Sequence, residues 1–397
     1  MPRFEPFRGI RYDLDRFRIG DVTAPPYDVI DAHDRASLVA RSPRNAVVVD
    51  LPDEADGAHR YATAAETFAE WRRDGVLVDD DRPAFTVYRM AYTDDLGRAA
   101  QTLGVIGALA LSRAEDGQVL PHEHTTPKAK SDRLDLLRST RANLSAVWGL
   151  SLTEGLSDLL GAPEAPLADW TDDAGVEHTC WRVDDGDRVG AIRQAVGATP
   201  VVIADGHHRY ATCLSYSDER LAADGGPGPA GATMTYVVEL IEDQLSVRPI
   251  HRLLSGLGSR DVTTLLAPWF DLGPTVTPDA SVLRRMESEA SLAVVSPDGA
   301  AQLLQPRAGA FAGVASLDSS RLAHALEGQS QVEMIYQHGV EQVVRAVTDG
   351  HAQAGVLLRP ATVGQIAANA RAGARMPPKT TFFHPKPKTG IVFRALE

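Results

Sequence analysis

Cysteine is scarce: Cys180 and Cys213 are the only two in 397 residues. That excludes a disulfide scaffold, and the absence of a Cys-x-x-Cys pair excludes a structural zinc site of that kind. Long apolar runs are missing too. No stretch of about 18 apolar residues is there to span a bilayer, and Met1–Ile10 carries Arg3, Glu5 and Arg8 where a secretory signal has its apolar centre. Cations are in the minority: 40 Lys and Arg stand against 53 Asp and Glu, a net charge of -13, which argues against nucleic acid as a partner. These absences leave a soluble, cytoplasmic, globular protein as the expectation. A hydrophobic content of 44% over this length suffices for a large core divided into two or three units. The charge balance reverses locally, because Arg371, Arg375, Lys379, Lys386, Lys388 and Arg394 face only Glu397 in the last stretch of chain.

The most informative segment runs from Thr199 to Tyr210. Val201, Val202 and Ile203 are β-branched, Pro200 stands at the entrance where its missing N–H does least harm, and Gly206 supplies a tight turn. The pattern predicts a buried strand that empties into Asp205, Gly206, His207, His208 and Arg209, followed by a helix over Tyr210–Arg220. Such a strand-to-helix junction favours an anion, and phosphate is the first expectation. An Asp-Gly turn with hydrogen-bonded histidines is the plainer alternative.

Elsewhere strand-like and helix-like segments alternate, which predicts a mixed α/β (α+β) architecture. Strands are expected at Asn45–Leu51, Phe85–Tyr92, Thr233–Leu240 and Leu292–Val295, and Gln101–Leu111 reads as an apolar run before a turn. Helices are expected at Tyr61–Asp74, Asp132–Asn143, Leu322–Leu326 and Val340–Ala346, Leu150–Trp170 reads as helix then loop, and Ala222–Gly231 as a flexible loop.

Four further constellations carry chemistry. The double proline before Tyr27 and Asp28 sets a stiff turn that could fix both side chains. Pro121–Arg133 crowds His122, Glu123, His124, Lys128, Asp132 and Arg133 together, a mixture suited to catalysis, in which Glu123 could serve as a general base; a solvated charged loop is the alternative. His251 and Arg252 could add cations to the same pocket or pair with surface acids. Near the end, prolines stiffen a segment in which Lys379, Thr380 and Lys386 could clamp a phosphate, and Phe382, Phe383 and Ile391–Phe393 indicate that this end is folded.

Taken together, Ala-Pro-Pro-Tyr-Asp-Val-Ile at 24–30, His-Glu-x-Thr with Asp132-Arg133, Ala-Asp-Gly-His-His-Arg-Tyr at 204–210, and Met-Pro-x-Lys-Thr-Thr-Phe-Phe from 376 with the Pro-Lys pairs that follow resemble the bacterial family labelled domain of unknown function 1015. The resemblance spans essentially the whole chain. The 205–209 motif also resembles that of the free serine kinases of the ParB/sulfiredoxin superfamily. That resemblance implies a ParB/sulfiredoxin-like core at 112–260, with α/β additions at 1–111 and 261–397, the latter ending in a basic segment that returns to the site. It also implies ATP or ADP as phosphate donor, Mg²⁺ on Asp205, Glu123 as the base that deprotonates the acceptor hydroxyl, and a small-molecule substrate, free L-serine first. Glu123 precedes Asp205 by 82 positions, further than the glutamate of those kinases, so an insertion containing Asp172–Asp185 is implied. A nucleotide-operated switch without turnover and a metal-dependent hydrolase built on His122, His124, His207 and His208 remain as alternatives. Sulfiredoxin-like reduction needs a cysteine in the loop, and Cys213 falls in the following helix.

Overall fold

A computed structural model of the chain describes residues 1–94, 97–121, 130–161, 165–279, 281–373, 376–377 and 379–397. The fold is mixed α/β and divides into two units, Met1–Ser246 with Pro385–Glu397, and Val247–His384.

The first unit is built on a mixed sheet. Its strands are β1 (Phe4–Glu5), β2 (Phe85–Thr93), β3 (Ala99–Ala110), β4 (Val119–Pro121), β5 (Val147–Ser151), β6 (Ala168–Thr171), β7 (Glu177–Val183), β8 (Val201–Asp205) and β9 (Ala232–Glu239). They lie in the order β4-β8-β5-β9-β3-β2-β7-β6, with β1 added against β3. Strand β8 runs parallel to β4 and antiparallel to β5. The expected boundary at residue 111 therefore falls inside one sheet, since strands from both sides of it pair. The helices of this unit include α1 (Val47–Asp50), α2 (Arg60–Arg73), α3 (Lys130–Thr140), α4 (Gly186–Gly197) and α5 (His207–Asp224). Val201 and Ile203 of β8 bury with Val147, Val237, Ile192 and Val196 in one core, while Tyr12, Phe68, Trp71 and Phe393 form another.

The second unit has its own sheet, made of β10 (His251–Ser255), β11 (Phe270–Val276), β12 (Leu292–Val295), β13 (Ala301–Pro306), β14 (Glu333–Gln337) and β15 (Ala354–Leu357), in the order β11-β13-β12-β15-β10-β14. Helices α6 (Asp318–Ala325) and α7 (Val340–Thr348) belong to it. Among the described residues no helix is long and apolar enough to cross a membrane.

Two local expectations are corrected. Asn45–Leu51 is a helical turn rather than a strand, because the Asn45 side chain accepts from Val47 N (2.9 Å) and donates to the carbonyls of Asp21 and Thr23. That caps a turn whose three valines the β propensity scale assigns to a strand. Leu150–Trp170 holds the end of β5, one short helix at Leu156–Leu159 and the start of β6. There the Glu239 carboxylate accepts from the Gly155 and Ser157 N–H groups (2.9 and 2.8 Å) and stops the helix from extending backwards. The Ala222–Gly231 stretch is partly ordered, with α5 running to Asp224 and a 3-10 turn over Gly228–Gly231.

The C-terminal segment 385–397 is stitched into the first unit. Thr389 and Ala24 exchange backbone hydrogen bonds, as do Phe393 and Ile10, and Leu396 N donates to Arg141 O. Gly390 has φ +100, and a Cβ there would stand 2.9 Å from Ala46 Cβ, so the segment approaches α1 where only glycine fits. Phe393 is fully buried, with its ring 5.4 Å from Phe68 and 6.0 Å from Tyr12. Replacing it by alanine (Phe393→Ala) should cost about 3–5 kcal/mol, read as a lower denaturant midpoint for the first unit; an unchanged midpoint would mean that the segment does not hold that core together.

Candidate functional site

Strand β8 carries its β-branched residues into the core and delivers Asp205 to the surface of it. The register against β5 breaks between Ile203 and Asp205, and such an irregularity re-aims the last side chain of a strand. Gly206 follows with φ +86, and a Cβ there would meet the Arg209 guanidinium at 2.9 Å. Glycine is thus required twice over, for its backbone and for the side chain lying against it. Helix α5 then begins at His207, which places Arg209 one turn beyond Asp205.

The charges form a chain. Asp205 Oδ2 accepts from Arg209 Nη2 (2.7 Å) and its Oδ1 from Lys386 Nζ (2.8 Å). Lys386 also donates to Asp28 Oδ2 (3.0 Å), which the Tyr27–Val29 turn holds just after Pro25 and Pro26. Arg209 Nη1 donates to Ala146 O. Next along the cluster, Arg133 of α3 donates to the backbone oxygen of Asp50 at 2.8 Å and to its Oδ1 at 3.3 Å. The same guanidinium lies 3.9 Å from the centre of the Tyr27 ring, and that of Arg209 lies 6.0 Å from it, a cation–π arrangement on a half-buried phenol.

Three carboxylates, Asp28, Asp50 and Asp205, thus meet three cations, Arg133, Arg209 and Lys386. Burial opposes the ionised form of Asp205, but Lys386 and Arg209 outweigh it and hold the carboxyl well below the usual range. Burial likewise works against the Lys386 ammonium, and Asp205 and Asp28 outweigh it to raise its pKa. Asp50 goes the other way: burial raises its pKa, and Arg133 and Arg209 only partly compensate.

A second cluster adjoins the same C-terminal segment. Lys388 Nζ lies 2.6 Å from Asp172 Oδ2, His178 Nε2 lies 3.1 Å from the same oxygen, and the Tyr88 hydroxyl is 2.7 Å from His178 Nδ1. Trp170 stacks on the His178 ring at 4.8 Å. Burial lowers the His178 pKa despite Asp172, so the ring is neutral at physiological pH, with one nitrogen donating and the other accepting.

Of the residues singled out from sequence, Tyr27, Asp28, Arg133, Asp205, Gly206, Arg209 and Lys386 come together in the first unit. His207 and His208 occupy the first turn of α5, directly after Gly206. His122, Glu123 and His124 lie outside the described residues. Lys379, Thr380, His251 and Arg252 lie in the second unit. There Lys379 O accepts from Arg252 Nη2 (3.0 Å), Thr380 Oγ1 meets Ser319 Oγ (2.9 Å), and His251 Nδ1 accepts from Leu358 N (3.1 Å). Burial, with Arg252 and His338 nearby, takes the His251 pKa down to about 3, which makes it a neutral acceptor. Sequence reasoning passed over Asp50, whose signal was a lone acid closing a buried valine run, and Asp172 and His178, which carry none.

The donor set around Asp205 does not fit magnesium. Each carboxylate oxygen already accepts from a cation, so an ion there would face Lys386 and Arg209. Among the described residues no group of three or more His, Cys, Asp or Glu side chains stands where it could hold a metal ion.

The fold and this cluster define a mixed α/β protein with a buried, charge-balanced site at a strand-to-helix junction. The chain belongs to the family described as protein of unknown function (DUF1015), whose model matches residues 4–320. The matched span includes Tyr27, Asp50, Arg133 and the Asp205 loop and stops short of Lys386. Among solved structures, the chain is similar to a conserved hypothetical protein from Pyrococcus furiosus, at 13% identity over 70% of this chain and 92% of that one, with a TM-score of 0.36. It is similar to a free serine kinase variant in complex with ADP, at 14% identity over 69% of this chain and 89% of that one (TM-score 0.38). It is also similar to SbnI with a C-terminal truncation from Staphylococcus aureus, at 13% identity over 73% and 87% (TM-score 0.40). No curated protein matches the chain.

Lys386→Met leaves Asp28 and Asp205 without their shared ammonium and should destabilise the first unit by about 3 kcal/mol at neutral pH. Asp205 is depressed in the folded protein, so its contribution is complete above the unfolded value of about 4 and is lost as the pH falls through the folded one. Lys386 is raised, so its contribution is complete below its ordinary 10.5 and is lost only as the pH climbs through the folded value. The stability gap between wild type and Lys386→Met is therefore widest at neutral pH and narrows in acid. Urea midpoints at pH 7 and pH 2 measure it, and a gap as wide at pH 2 as at pH 7 would rule out the ion pair as its source.

Proposed function

We propose that the Asp205–Arg209 loop holds phosphate and that the protein moves a phosphoryl group between a nucleotide, ATP or ADP, or another phosphate donor, and a small hydroxylated metabolite, free L-serine being the first acceptor to test. One observation carries this reading: two buried cations, Lys386 and Arg209, converge on a carboxylate at the N-terminus of the 18-residue helix α5. Carboxylate and phosphate oxygens accept the same charge-assisted hydrogen bonds from such donors, so phosphate oxygens suit the positions that the Asp205 oxygens hold. The first-turn N–H groups of α5 add to the same field. Phosphoryl transfer asks chiefly for positioning and neutralisation of charge, which these groups supply. Glu123 is the proposed acceptor of the substrate's hydroxyl proton, an assignment carried by the resemblance.

A second reading uses the same cradle. An anion that takes Lys386 from Asp205 also loosens the hold on the C-terminal segment, and that coupling suits a nucleotide-operated switch without turnover.

Phosphorus NMR with magnesium, a panel of nucleotide donors and L-serine, run in both directions, tests the proposal. Phosphoserine is expected. Glu123→Gln should abolish transfer while leaving nucleotide affinity nearly intact, and Arg209→Ala should weaken nucleotide binding by at least about tenfold, as loss of a buried charged partner does. Normal turnover in Glu123→Gln removes that residue from its role, and tight nucleotide binding with no product in any mixture leaves the switch.

A further inference from the structure

Behind the Asp205 loop, between α3 and α5, lies a cavity lined by Asp50, Arg133, Ser145, Arg209, Thr212 and Cys213, with Leu136, Leu137 and Leu144 as an apolar wall. It leaves about 40 Å³ for the centres of water molecules, room for about three waters or a solute of six or seven heavy atoms.

Its polar groups are incompletely satisfied. Asp50 is 3% exposed, yet its side-chain contacts are long: 3.3 Å to Arg133 Nη1, 3.5 Å to Ser145 Oγ and 3.4 Å to Thr389 Oγ1. At such lengths a carboxylate gains little from its partners. Arg209, 8% exposed, spends its two Nη groups on Ala146 and Asp205, while its buried Nε has no hydrogen-bond partner among the described residues; the same holds for Thr212 Oγ1, in a residue 3% exposed. Orphaned polar atoms at such burial cost roughly 1–3 kcal/mol each, and both belong to residues that line this cavity.

The combination restricts the occupant. A cation alone would meet Arg133 and Arg209, and an anion alone would lie beside Asp50. Asp50 on one side and Arg133 and Arg209 on the other all line this cavity, so an occupant that carries both signs leaves none of these buried charges facing its like. We infer that this cavity binds a small zwitterion bearing a hydroxyl, its ammonium on Asp50, its carboxylate on Arg209 and Arg133, and its hydroxyl on Thr212. This deepens the phosphotransfer reading and rests on it in taking the occupant to be the phosphoryl acceptor; Asp50 and Thr212 become its binding residues.

Calorimetry on the full-length protein without nucleotide tests it, using L-serine and three probes that each lack one group: 3-hydroxypropionate without the ammonium, ethanolamine without the carboxylate, and L-alanine without the hydroxyl. L-serine is expected to bind, and each probe to bind at least about tenfold more weakly, because each leaves a buried site group unpaired. Asp50→Asn should weaken L-serine at least about tenfold, while 3-hydroxypropionate, relieved of a neighbouring carboxylate, binds no more weakly than to wild type and the affinity for ADP stays within about twofold. Should Asp50→Asn fail to fold, Thr212→Val, nearly identical in shape, should erase the preference for L-serine over L-alanine. The inference is overturned if Asp50→Asn binds L-serine as wild type does, if Thr212→Val keeps that preference, or if ADP binds and none of the four small molecules does. Binding of L-serine in the expected order with no binding of ADP or any phosphate donor would support the cavity and remove the phosphotransfer reading.

Discussion

The site depends on one ion pair. Asp205 and Lys386 are 181 residues apart in sequence and 2.8 Å apart in space, and through them the end of strand β8 is tied to the C-terminal segment. A carboxylate in this position cannot remain ionised without partners, because desolvation alone would drive it to its neutral form. Supplying those partners fixes the rest. Arg209 must fold back across Gly206, which forbids a side chain there; Lys386 must lie between Asp205 and Asp28, which requires the Pro25-Pro26 turn; and the segment carrying Lys386 must be anchored beyond it, which Thr389, Gly390 and Phe393 accomplish.

The same segment satisfies a second acid two residues on, where Lys388 meets Asp172. Prolines at 385 and 387 alternate with the two lysines, and each proline holds the residue before it in extended backbone. A stiff extended strap therefore loses little conformational freedom when its ammonium groups are fixed. That lowers the cost of an arrangement in which both lysines are largely buried, at 10% and 14% side-chain exposure.

Much of this was legible in the sequence wherever the determining forces are local. The run Val201–Ile203 into Asp205-Gly206 and a helix reads directly from β propensity, turn chemistry and helix periodicity, and so do the strand expected at Phe85–Tyr92, the helix expected at Tyr61–Asp74, which the structure has at Phe85–Thr93 and Arg60–Arg73, and the folded basic end. Asn45–Asp50 misleads because its helical turn is set by hydrogen bonds from Asn45 to Asp21 and Thr23, more than twenty residues away. Asp50 went unnoticed for a related reason: its cation, Arg133, lies 83 residues downstream, and its Thr389 contact 339. His178 looks like any strand residue until Tyr88 and Asp172 are brought to its two nitrogens. Local pattern gives the elements and the loop, whereas the pairing of buried charge is a property of the closed fold.

The balance of charge bears on how an anion would enter. On the proposed reading, phosphate must compete with Asp205 for Lys386 and Arg209, so the ion pair that organises the site also opposes its occupancy. A singly charged anion offers those cations no more than the carboxylate already does. A phosphate, with more negative charge and three oxygens, can engage both cations and the first-turn amides of α5 at once. The displaced Asp205, left beside an anion and without its ammonium, would then be pressed toward its protonated form. Selectivity for phosphate over carboxylate thus follows from a site held closed by its own carboxylate, and any ligand able to open it must shift the strap through Lys386.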